Sequence, residues 1–121
     1  MRDARPIYEL LVLSVWADGK VRPDEVLAVQ RIVAADESLS RLANRSELAR
    51  GIKECIVAQG IDAVLREAAS AVAPEDRELA FRLCAEVLKA DGEMAGEDAD
   101  ALGTLQELFG LSAAAVAKLM R

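Results

Sequence analysis

Two stretches of this sequence carry carboxylates at a spacing that could hold a cation: Ala17-Asp18-Gly19-Lys20-Val21 followed by Glu25, and Ala90-Asp91-Gly92-Glu93-Met94 followed by Asp98. The copies lie 73 residues apart. Each follows an apolar run of helical spacing, turns on a glycine, and places an apolar residue two positions after that glycine and an acid seven positions after the aspartate. An aspartate, a glycine, five further residues and an acid form the second half of an EF-hand calcium loop, where they supply oxygen ligands around a sharp turn. The first half is absent. Its ligand positions would fall on Ser14 and Trp16 in one copy and on Val87 and Lys89 in the other, and tryptophan, valine and lysine side chains do not ligate a hard cation.

The same residues also fit a purely structural role. Glycine allows a left-handed turn, aspartate accepts backbone N–H bonds inside it, and the later acid complements the start of the next helix. Charge separates the two copies. Residues 86–100 hold six acids, Glu86, Asp91, Glu93, Glu97, Asp98 and Asp100, against Lys89 alone, whereas residues 13–27 hold Asp18, Asp24 and Glu25 against Lys20 and Arg22. The candidate metal-ligating residues are therefore Asp91, Asp98, Glu93 and Glu97 in the stronger copy, and Asp18 and Glu25 in the weaker. The expected ligand is a divalent cation, Ca²⁺, Mg²⁺ or Mn²⁺, because a chain with no histidine offers such a site little but oxygen.

Composition narrows the remaining function classes. The absence of histidine removes the usual neutral-pH base, the Ser-His-Asp triad and most zinc sites, so an enzyme is not expected. A net charge of −6 disfavours nucleic acid and anionic membranes as partners and favours cations or a basic protein partner. Cys55 and Cys84 each lie among apolar residues and belong to no paired motif; both are expected to be buried free thiols in a reducing cytoplasm. No run approaches the ~18 apolar residues of a transmembrane segment. The apolar stretch after Arg2 and Arg5 imitates a secretory leader, but Glu9 and Asp18 bracket it and it carries half of the first motif, so it reads as a core helix.

A hydrophobic fraction of 53% with only 3% aromatic residues suits helix packing better than a sheet. Residues 6–17 are apolar around nearly the whole helical circumference, and residues 74–90 carry Leu79, Phe81, Leu83, Cys84, Val87 and Leu88 with charge confined largely to Glu78, Arg82, Glu86 and Lys89, which marks both as central. Pro23 opens a second helix that ends near Ala35. Residues 36–45 read as irregular or a single turn. Asn44 and Glu47 then form a capping box for a helix running to Gln59 and stopped by Gly60. A short helix through Ile61 and Ala68 closes before Pro74. Beyond the second motif a helix through Leu102, Leu105 and Leu108 stops at Gly110, and Ser112 caps a last one reaching Met120.

With these residues in hand, the chain resembles the tellurite-resistance TerB-like family, whose pattern is a helix ending in Ala-Asp-Gly, an apolar residue, and an acid opening the next helix. The likeness extends to Glu75-Asp76-Arg77 before the second copy and to Leu111-Ser112 before the last helix. It implies an all-α, compact single-domain bundle of about six to seven helices over residues 1–121, with a pseudo-two-fold internal repeat relating 10–34 to 83–107. It further implies an acidic surface that binds metal cations and a role in tellurite or envelope and metal-stress responses rather than in catalysis. The alternative is a protein–protein interaction module in which both Asp-Gly loops are structural.

Overall fold

The computed structural model describes residues 4–16, 22–90 and 97–119, with every side chain among them except those of Ser46, Glu97 and Asp98. Among the described residues there are eight α-helices and no strand: α1 (Ala4–Val15), α2 (Pro23–Ala34), α3 (Glu37–Ala43), α4 (Ser46–Gln59), α5 (Ile61–Ala71), α6 (Arg77–Leu88), α7 (Glu97–Phe109) and α8 (Ala113–Leu119), with a 3₁₀ turn at Pro74–Asp76. The all-α bundle expected from composition is what forms.

The all-round apolar character of α1 has a direct consequence: no face of it can be left in water without cost. Eight of its twelve residues are buried, and α2, α3, α4, α5 and α6 all pack against it. Ile7, Leu10, Leu11 and Leu13 are within 1% of complete burial. Helix α6 is the other central element, carrying buried Ala80, Phe81, Cys84, Ala85, Val87 and Leu88 against α1, α2 and α7. At the contact between these two helices, the Ser14 hydroxyl donates to the Leu10 carbonyl at 2.8 Å. The Cys84 thiol of α6 lies beside this hydroxyl. The bounds of α1 and α6 differ by the same 73 residues that separate the two motifs.

Helix α3 departs from expectation. Residues 36–45 looked too polar for a helix of their own, yet Asp36 caps one, its carboxylate accepting the Leu39 N–H at 3.1 Å. Leu39 is buried to 1% exposure, and the Ser40 hydroxyl donates to the Val33 carbonyl at 2.7 Å, tying α3 to the end of α2. One buried leucine, a good cap and one cross-link suffice for two turns. The capping box assigned to Asn44 fails for the same reason. Asn44 closes α3, with helical dihedrals and its N–H on the Ser40 carbonyl, and α4 begins after Arg45 with no side-chain cap.

Helix α4 lies at the edge of the bundle. Ile52 is its one buried residue, with Leu48 and Ile56 half-buried on the same line and Val57 82% exposed. Cys55 sits beside that line and is exposed, which corrects the expectation that both thiols are buried. The only tryptophan, Trp16 at the end of α1, holds the Lys53 ammonium of α4 5.8 Å from its ring centroid, a cation–π contact. Gly60 stops α4 as expected, at φ 87° and ψ 153°, a region that only glycine enters freely. Farther on, α6 starts three residues later than Pro74 suggested, because Pro74–Asp76 form the 3₁₀ turn. Gly110 (φ 67°) ends α7: its N–H meets the Glu107 carbonyl and the Leu111 N–H meets that of Gln106, each at 3.1 Å, a Schellman turn. Ser112 caps α8 by accepting the Ala115 N–H.

Replacing Gly60 with alanine forces a side chain into dihedrals it resists; guanidinium unfolding should show a loss of about 1–3 kcal/mol, although the site has open space around it. The two cysteines should separate under a thiol reagent. Cys55 should label in the native protein, and Cys84 only as fast as the protein unfolds. Burial pushes the Cys84 thiol up to about 12 from an ordinary value of 9.0, so its contribution to stability is complete below pH 9 and is lost as pH rises toward 12. A Cys84→Ala variant, followed by urea midpoint against pH, should lack that part of the alkaline decline.

Candidate metal centre

Helices α1 and α2 bracket the first motif. Pro23 occupies the first helical position of α2, where its missing N–H costs nothing, and Asp24 and Glu25 complement the positive end of the helix. Glu25 thereby stands at the third helical position, from which a glutamate side chain folds back toward the residue before the helix. That is Arg22, whose Nε lies 3.9 Å from the Glu25 carboxylate oxygen Oε1. The glutamate is 1% exposed and the arginine 44%. A carboxylate taken this far out of water needs a compensating charge or hydrogen bonds, and the guanidinium supplies the charge without a metal.

The second motif lies between α6 and α7. Lys89 ends α6 with its N–H on the Ala85 carbonyl, and Ala90 donates to that of Val87. Glu97 and Asp98 are the first two residues of α7, where the helix dipole favours negative charge. Their side chains lie outside the described residues, and so do Asp18, Asp91 and Glu93 altogether. Of the six sequence-derived candidates, Glu25 alone has a described side chain, and no two candidates are seen together. Among the described residues no group of three or more His, Cys, Asp or Glu side chains could hold a metal ion.

Sequence reasoning overlooked Arg22 as the partner of Glu25, although a spacing of three within one helical turn was a readable signal. Three surface clefts were not legible at all, because each is built from helices far apart in the chain. One of about 320 Å³ lies between α1, α5 and α7 and is rimmed by Asp62 and Asp100. A second, of about 270 Å³, lies between α1, α4 and α5, and a third, of about 420 Å³, between α2, α3 and α6. No helix among the described residues is long and apolar enough to cross a membrane.

The buried glutamate yields a stability prediction. Arg22→Met should lower unfolding free energy by about 1–3 kcal/mol in a urea titration, the usual cost of leaving a buried carboxylate without the guanidinium beside it, while Glu25→Ala should cost less because the arginine it leaves behind is half in water.

Comparison with known proteins fits this geometry. No curated protein and no solved structure matches the chain. A family model does, the one described as tellurite resistance protein TerB, and it matches residues 6–121, from the first turn of α1 through both motifs to the end of α8. A match of that extent over an all-helical chain places this protein in the TerB tellurite-resistance family.

Proposed function

We propose that this chain is a non-enzymatic, cytoplasmic TerB-like domain that binds a divalent cation through its second Asp-Gly segment and serves a response to tellurite or to envelope and metal stress. Asp91 and Asp98 are the principal ligands, Glu93 and Glu97 add charge or further oxygens, and the first copy, Asp18 with Glu25, is mainly structural. The observation carrying this reading is the Arg22–Glu25 pair, which compensates the acid of the first copy. The residue 73 positions after Arg22 is Ala95, so the second copy has no such arginine, and residues 91–100 carry five acids and no base. Clustered carboxylates attract hard cations, and a site with half the EF-hand ligand set should bind with a Kd of about 10⁻⁴ to 10⁻³ M.

A second reading is supported by the same glutamate. Buried and charge-compensated, Glu25 can shape its loop with no ion present, which suits an interaction module whose Asp-Gly segments are structural and whose function lies in a surface cleft.

Titration with Ca²⁺, Mg²⁺ and Mn²⁺ distinguishes the two, because a cation that prefers the native state must raise the melting temperature. Asp91→Asn should abolish most of the binding seen by calorimetry and Asp18→Asn should leave it nearly intact. Equal losses in the two variants, or no binding by the parent protein at millimolar cation, would leave the interaction reading in possession of the field.

A further inference from the structure

The cleft between α1, α5 and α7 combines an apolar floor with a rim of one sign. Leu13, Leu65 and Leu105 are buried beneath it, Ile61 and Ala101 stand half-buried at its sides, and Asp62 and Asp100 are exposed at its edge. Two hydroxyls also line it, and both have already given their protons away: Ser14 donates to the Leu10 carbonyl at 2.8 Å and Thr104 to the Asp100 carbonyl at 3.0 Å. What the side chains of the cleft offer an occupant is therefore acceptors alone, two carboxylates and the lone pairs of two hydroxyls. Among the described residues no basic side chain lines it, and neither aspartate side chain has an ion-pair or hydrogen-bond partner.

The other two clefts lack this bias. Between α2, α3 and α6, Arg31 and Arg82 stand against Asp36 and Glu86, a mixed rim that selects neither sign. Between α1, α4 and α5 the acids Glu9, Glu47 and Glu67 share the lining with a base, Arg5, which pairs with Glu9, while Glu47 pairs with Arg45.

We propose that the α1–α5–α7 cleft receives a lysine or arginine side chain presented by an extended basic segment of a protein partner. The aliphatic stem lies on Leu13, Leu65 and Leu105, and the cationic head reaches the carboxylates of Asp62 and Asp100. Long basic side chains pair an apolar body with a charged tip, which is the pattern this cleft complements. Its volume of about 320 Å³ is at the small end of the ~300–1,000 Å³ typical of ligand pockets, enough for one or two long side chains and too little for a helix. The net charge of −6 would steer such a segment toward the protein before contact. This inference deepens the interaction reading and rests on it.

The test uses the full chain labelled with ¹⁵N and two capped pentapeptides, Gly-Leu-Lys-Leu-Gly and Gly-Leu-Glu-Leu-Gly, with spermidine as a small-amine control. The lysine peptide should shift amide signals of residues 61–65 and 100–105, with the glutamate peptide silent. Asp62→Asn with Asp100→Asn should weaken binding by about tenfold or more, the scale of losing charge-assisted hydrogen bonds. Ala101→Leu, which fills the cleft without adding charge, should block it; helical circular dichroism and the dispersion of the same spectra report whether each variant is folded. Shifts confined to another face, equal response to both peptides, variants that bind as the parent does, or spermidine binding as tightly as the peptide would overturn the cleft assignment and leave the interaction reading standing. No shift with either peptide at millimolar concentration would overturn both.

Discussion

The burial of α1 is the constraint on which the rest of the molecule depends. A helix apolar on nearly every side must be surrounded, and five of the other seven helices among the described residues pack against it. Such a centre leaves no room for a free polar group, so Ser14 returns its proton to its own helix beside Cys84 of α6. The small residues at the close approaches, Ala68 and Ala69 on α5 and Ala80 and Ala85 on α6, suit the tight packing that a core with few aromatics requires. Once α1 and α6 are fixed together, the points from which the two motifs leave the core, Trp16 and Ala90, are fixed as well.

How legible all this is in the sequence depends on how local the determining interaction is. The ends of α4 and α7 are written in single glycines, and the start of α2 in Pro23, because those residues act on their own backbone. The centrality of α1 follows from apolar residues around nearly its whole circumference, and that of α6 from an apolar surface broken mainly by the exposed line of Glu78, Arg82 and Glu86. By contrast α3 is a helix only because Leu39 finds a place in the core and Ser40 reaches the end of α2, both long-range facts that composition does not encode. Cys55 misleads in the opposite way: it lies among apolar residues in sequence, but α4 buries just the single line centred on Ile52.

The candidate site was legible in part for the same reason. Pro23 announces that Glu25 stands in the first turn of a helix. That its carboxylate would be 1% exposed depends on what the rest of the bundle does around the start of α2. Nor could Asp62 and Asp100 be related from the sequence, since they meet only where α5 and α7 are brought to opposite sides of one cleft. The repeated motif pointed to its own chemistry, and the folded chain adds that the acid of the first copy, Glu25, is buried beside Arg22.

The slender attachment of α4 bears on motion as much as on stability. Local opening free energies follow how much apolar surface an element buries, and α4 rests on Ile52 with two half-buried neighbours, whereas α1 is enclosed. Amide hydrogens of α4 therefore exchange through fluctuations that leave the α1–α6 centre intact, and those of α1 wait for the whole bundle to open. Because Lys53 stands over Trp16, each such excursion of α4 also uncovers the indole at the threshold of the first Asp-Gly segment. The hierarchy of opening thus runs inward from the edge, and the tryptophan that leads into the first motif stands between an enclosed helix and a loosely held one.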